Sequence, residues 1–176
     1  MRYIGTVETA KMIRQQLKKN FPQVKFSVRS SLYSMGSSID ISWADGPSKK
    51  QVEPVVGPFS GSSFDGMIDM KYSTASYLLP DGSVQYGRSS GTEGSRGSCP
   101  AYENELPVGA DIVSFGPDHV FLNRSLSRPL MYAVAVQVSE QYGEALPQLN
   151  EHNYWAVGTP RSFEERFYRA AQEFAL

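Results

Sequence analysis

The stretch from Phe26 to Trp43, Phe-Ser-Val-Arg-Ser-Ser-Leu-Tyr-Ser-Met-Gly-Ser-Ser-Ile-Asp-Ile-Ser-Trp, constrains the fold more than any other part of the chain. Phe26 and Val28 alternate with polar residues, and Ile39, Ile41 and Trp43 do the same. A period of two puts each apolar set on one face of a strand. The pattern predicts a strand over 24–28, a polar loop of about eight residues, and a second strand over 37–43. Arg29, Tyr33 and the run Ser34 to Ser38 are expected at the surface. Phe26, Val28, Ile39 and Ile41 are expected inside. Small hydroxyl donors carried on a rigid hairpin make a contact surface; they carry no catalytic signature.

A helix is predicted over 9–20, with Thr6 or Thr9 able to cap it. Ala10, Ile13 and Leu17 form its apolar stripe, which Phe21 extends. Lys11, Arg14 and Lys18 form a second, basic stripe. Pro22 ends the helix, because the residue before a proline avoids the α region. A helical pattern also runs through Val52, Val55, Val56 and Phe59. Pro54 interrupts it and calls for a fresh start near Glu53 or a kink.

The segments 76–79 and 83–86 flank Pro80-Asp81-Gly82, a hairpin signal. Gly87 to Gly97 is rich in Gly and Ser and reads as a loop. Strands are predicted at 111–115 and near His119–Arg124. Residues 128–142 read as a helix after Pro129 that Gly143 terminates, although Val134, Val136 and Val138 also alternate as in a strand. Tyr154 to Val157 is strand-like. Ser162 to Phe174 is a helix in which Ser162 and Glu165 have the spacing of a capping box, with Phe163, Phe167, Ala170, Ala171 and Phe174 on its apolar face.

With 176 residues, 40% of them hydrophobic, the chain is long enough for a core without disulfides or metal. The expected fold is one α+β domain over 1–176, an antiparallel sheet with helices packed on one side. A single cysteine and a first segment without a secretory apolar run point to a cytoplasmic, reducing setting, and no apolar run is long enough for a membrane span. The net charge of −1 hides an asymmetry. Residues 1–50 hold nine Lys or Arg against three acids, and the remainder eight against fifteen. A basic front of this kind suits phosphate or an acidic protein.

Chemistry-bearing patterns are sparse. His119, His152 and Cys99 lie far apart, with no paired-cysteine or HExxH spacing, so no metal site and no cofactor is expected. Asp40, Asp65 and Asp69 would have to converge to hold magnesium; otherwise Asp40 pairs with Arg29 or faces solvent, and Asp65 caps a turn. Cys99 with His119 could serve a small thiol-dependent enzyme. Lys11, Arg14, Lys18, Lys19, Lys25 and Arg29 would serve a nucleic-acid-binding module.

Three ordered blocks carry a resemblance. Thr9-Ala-Lys through Lys25-Phe-Ser-Val-Arg-Ser30, Met35-Gly-Ser-Ser-Ile-Asp-Ile-Ser-Trp-Ala-Asp-Gly-Pro47 and Ser63-Phe-Asp-Gly-Met67 are similar to the large polyvalent protein-associated domain 29 family. The similarity covers about residues 8–124, leaving a helical extension over about 128–176. It implies a non-enzymatic accessory protein of a phage, plasmid or integrated element, acting by binding a host or element protein, with countering host defence as one such role. It brings no catalytic residues. The side chains expected to make the protein contact are Arg29, Tyr33, Ser34, Met35, Ser37, Tyr77 and Tyr86, since desolvated Tyr and Arg dominate many interfaces.

Overall fold

The computed structural model describes residues 1–89, 91, 102–152 and 154–174. The chain is of the α+β class, with four α-helices and nine strands among the described residues. It divides into two compact units, one of residues 1–42 and 52–123, the other of 43–51 and 124–176.

The first unit opens with β1 (Arg2–Ile4) and α1 (Thr6–Asn20). α1 starts three residues earlier than the sequence pattern predicts, and neither threonine caps it. Gly5 occupies the N-cap in an extended conformation. Thr9 instead turns its hydroxyl back to donate to the carbonyl of Gly5, at 2.9 Å. Ala10, Ile13 and Leu17 are buried as their spacing requires, and Phe21 is the C-cap.

β2 (Ser27–Tyr33) and β3 (Gly36–Ala44) pair in antiparallel register from Ser27↔Ser42 to Tyr33↔Gly36. The predicted eight-residue loop is therefore a tight turn at Ser34–Met35, and Ser30 to Tyr33 are strand. Hydroxyl-rich sequence reads as loop, but Ser31 and Leu32 face Ser38 and Ser37 across the ladder and keep it intact. Ile39 and Ile41 are fully buried, in agreement with the alternation.

α2 (Lys49–Val56) runs through Pro54 without a restart. β4 (Ser62–Asp65) and β5 (Met70–Leu78) form a second hairpin, joined by a turn in which Asp69 has φ of 52°. β5 also pairs with β6 (Val84–Ser89), closed by the Pro80-Asp81-Gly82 turn with Gly82 at φ of 81°. β7 (Tyr102–Glu103), β8 (Asp111–Phe115) and β9 (His119–Ser125) complete the strands. Where the sequence suggests one antiparallel sheet, there are two among the described residues. One has the order β1-β8-β5-β6-β7 with β4 on β5, and its β1–β8 pair is parallel; the other is β2-β3-β9.

The second unit is built on α3 (Arg128–Tyr142) and α4 (Arg161–Glu173). The ambiguity over 130–138 resolves as helix. Val134, Ala135 and Val138 share one stripe and pack with Phe163, Phe167 and Ala171 of α4, while Gly143 in the left-handed region ends α3. Trp155 meets the rings of Phe163 and Phe167 edge-on. The strand-like run around it makes, among the described residues, one isolated bridge, Leu149 to Trp155. Ser162 does not cap α4, whose N-cap is Pro160; Glu165 pairs with Arg161 instead. At the other end Arg124 donates to the carbonyls of Ala171 and Phe174 and to those of Asp45 and Gly46. A cation there meets the negative end of the helix dipole. Burial lowers the pKa of Arg124, and the charge of Asp45 works the other way.

Candidate functional site

Two surfaces of the first unit gather chemistry that its core does not use. The first lies at the tips of the two hairpins. At the β2–β3 tip Leu32, Tyr33 and Met35 are 72%, 52% and 90% exposed. At the β4–β5 tip Phe64, Met67 and Met70 are 48%, 74% and 52% exposed.

One carboxylate connects the two tips. Asp118 follows Gly116-Pro117, and its Oδ2 accepts from the backbone N–H of Ser37 at 3.3 Å. Its Oδ1 accepts from the Ser62 hydroxyl at 3.1 Å and from Lys71 Nζ at 2.5 Å. Burial pushes this carboxyl up, but Lys71, the Ser37 N–H and the Ser62 hydroxyl together hold it below the usual carboxylate range. Lys71 is the cross-strand partner of Phe64, and Gly36 that of Tyr33. A β-carbon at Gly36 would lie 2.0 Å from Asp118 Oδ2 and 3.0 Å from the Tyr33 ring. Tyr33 and Phe64 thus stand on strands clamped to either side of one ion pair.

The clamp continues inward. The Ser37 hydroxyl donates to the Gly116 carbonyl at 3.0 Å and sits 2.7 Å from the Thr6 hydroxyl. Ser60 donates to the Asp118 carbonyl, and Gly61 N–H to the Pro117 carbonyl. Gly61 approaches Phe115 so closely that a β-carbon there would lie 1.7 Å from its carbonyl oxygen.

These positions correct part of the sequence reading. Ser37 is buried, because its register with Leu32 turns it to the same face as Ile39 and Ile41; Ser38 is buried too. Tyr77 is only 3% exposed, and its hydroxyl donates to the Asn104 carbonyl. Neither Ser37 nor Tyr77 can meet a partner. Arg29, Tyr33, Ser34, Met35 and Tyr86 are exposed, with Arg29 opposite Asp40 in the ladder. The sequence reading missed Leu32, Phe64, Met67 and Met70. For Phe64 and Met67 the signal was apolar side chains inside the turn-forming sequence Phe-Asp-Gly-Met.

The second surface is the basic face of α1 and β2. Arg14, Lys18 and Lys25 line one cavity of about 330 Å³ whose floor is Leu17, Val24, Phe26 and Val28. Arg14 is held in place by donating to the Val28 carbonyl at 2.6 Å. Lys11 and Arg29 are exposed. Lys19 belongs elsewhere, since its Nζ is 2.9 Å from Asp81 Oδ2.

Other candidates do not assemble. Among the described residues no three His, Cys, Asp or Glu side chains group as they would around a metal ion. Asp65 accepts from the N–H of Met67 and so closes its own turn. His119 is exposed beside the Phe121 ring, and Cys99 and most of the Gly87–Gly97 loop lie outside the described residues. No helix among the described residues is long and apolar enough to cross a membrane.

A family model described as large polyvalent protein associated domain 29 matches residues 4–127, well over half of the chain. The chain belongs to that family. The match takes in both hairpins, the Asp118 clamp and the basic face, and it stops at the residue before α3. Membership ties the chain to the large polyvalent proteins of phages and other mobile elements. Neither the curated proteins nor the solved structures compared with the chain give a match.

Proposed function

We propose that this chain is a non-enzymatic binding module of a mobile-element protein, and that it docks a host or element protein on the tips of its β2–β3 and β4–β5 hairpins. The observation that carries this reading is the placement of Leu32, Tyr33 and Met35 on one tip and Phe64, Met67 and Met70 on the other, all exposed. Isolated apolar side chains on a surface are ordinary, but six at two tips joined through one clamp favour a docking area. Tyr33 and Phe64 supply rigid anchors, and the methionines adapt to a partner's contour. The clamp lowers the entropic cost of binding by fixing both tips beforehand.

The test is a purification from cells carrying the element, with the wild-type chain and with a Met35→Glu, Phe64→Ser variant. The expected result is one stoichiometric protein complex on the wild type that is absent from the variant, at an unchanged unfolding midpoint. A complex that survives both substitutions would overturn the reading.

A further inference from the structure

We infer that the cavity between α1 and β2 is a binding site for single-stranded nucleic acid, distinct from the hairpin tips. The argument rests on which charges of the first unit have partners. Arg2 pairs with Asp111, Lys19 with Asp81, Lys71 with Asp118 and Arg88 with Glu103. Lys11, Arg14, Lys18, Lys25 and Arg29 make no ion pair with any described residue, and all five lie on α1, on β2 or in the turn between them. An unpaired row of cations draws in a polyanion and releases its counterions.

Lys11 carries the row beyond the cavity along α1. Lys11, Arg14 and Lys18 span seven helical positions, about 10 Å along the axis. Lys25 adds a charge in the turn past the helix, while β2 comes back beside α1, where Arg14 reaches the Val28 carbonyl, and Arg29 alternates with Val28 onto the other face of the strand. A compact anion would need two or three converging donors; a row along the helix matches charges repeated along a strand.

The cavity itself selects the form of that strand. No acidic side chain lines it, and its floor is apolar. Leu17 and Val28 are buried beneath it, and Val24 and Phe26 are half-buried. About 330 Å³ with an apolar floor can receive one unstacked base, which a duplex does not offer. Apart from the three cations, no lining side chain has a hydrogen-bonding group to read a base edge. Binding is therefore independent of sequence, set by phosphate contact and apolar contact.

The experiment is fluorescence anisotropy of a labelled mixed-sequence oligonucleotide of about 12 nucleotides, a length in the range of single-strand sites. Each phosphate contact on a single strand contributes about −0.7 to the slope of log affinity against log salt. The three cations of the cavity contribute about −2 to the slope, or about a 20-fold loss of affinity from 50 to 200 mM salt. Arg14→Ala, Lys18→Ala and Lys25→Ala together are expected to remove that contribution. Arg14→Ala also removes a bond to β2, so Lys18→Ala with Lys25→Ala, at two exposed unpaired positions, serves as the variant that leaves the fold alone; it should make the slope shallower by about 1.4. A duplex of the same sequence should bind at least 10-fold more weakly. The Met35→Glu, Phe64→Ser variant should bind the oligonucleotide as the wild type does, which separates this site from the hairpin tips. No binding at 50 mM salt, an unchanged slope in the double variant, or equal binding of the duplex or of a leucine-containing polyglutamate peptide would overturn the inference.

Discussion

The Asp118 clamp and the basic face of α1 are both dense in polar groups, yet they differ in one respect. In the clamp the carboxylate has three donors, and the nearby Ser37, Ser60 and Ser62 hydroxyls each meet an acceptor. On the basic face five cations have no carboxylate among the described residues. A half-buried charge that is satisfied from within the chain is part of its architecture. Exposed charge left without an internal carboxylate contributes little ion-pair energy to the fold and is available to a ligand, even where, as at Arg14, a backbone carbonyl orients it. The comparison teaches that partnership, more than charge density, separates architecture from site in this molecule.

The largest effect that tests this contrast is expected at Gly61. Gly61→Ala would force a β-carbon onto the Phe115 carbonyl, 1.7 Å away, and backbone on both sides would have to move. Interiors are packed too densely to absorb that displacement. A loss of at least about 3 kcal/mol is expected in denaturant unfolding. A variant within about 1 kcal/mol of the wild type would show the clamp to be soft and would weaken its role in fixing the two tips.

Asp118→Asn comes next. It keeps the shape but loses the charge that Lys71 meets, and a cost of about 1–2 kcal/mol at neutral pH is expected, since the head of Lys71 is half in water. The pH dependence follows from the lowered pKa of Asp118 in the fold. Its contribution is fully present above the ordinary carboxylate value of about 3.9 and is lost as pH falls through the lower folded value. Wild type and Asp118→Asn should therefore converge in stability once pH has fallen below the folded value of Asp118. A constant gap across acid pH would show that Asp118 acts through shape alone.

Local pattern accounts for much of the architecture. The stripe Ala10, Ile13, Leu17 and the alternation Ile39, Ile41 each repeat at the period of their element, so neighbours in sequence report the fold directly. The α+β class and the family relationship followed from such segments. The clamp was not legible. Asp118, Ser62, Lys71 and Ser37 are brought together by two separate strand pairings, and nothing near any one of them in sequence announces the others. The same reason explains Ser37 and Tyr77. A serine or tyrosine looks surface-seeking until a distant carbonyl, at Gly116 or Asn104, takes its hydroxyl inside. The basic row was legible because it sits on one helix and the strand after it. Among the residues expected in it, Lys19 differs in having an ion-pair partner, Asp81, 62 residues away.

Lys18 and Lys19 carry the contrast at its smallest scale, side by side on one helix. Lys18 lines the cavity and has no carboxylate partner among the described residues, whereas Lys19 is held by Asp81. The Ser83 hydroxyl and then Lys19 hold the Asp81 carboxyl far below its ordinary range, so it is charged at neutral pH. Lys19→Ala is accordingly expected to leave both oligonucleotide affinity and salt slope unchanged, where Lys18→Ala removes about 0.7 from the slope. Asp81→Asn is the converse: Asn keeps an oxygen for the Ser83 hydroxyl and N–H but releases Lys19. If availability is what makes a lysine part of the site, the released Lys19 should steepen the slope by at most about 0.7, a change of some 2.6-fold in affinity between 50 and 200 mM salt. A Lys19→Ala variant that weakens binding as much as Lys18→Ala would show that an internal partner does not withdraw a cation from the site, and the distinction drawn between clamp and basic face would fail with it.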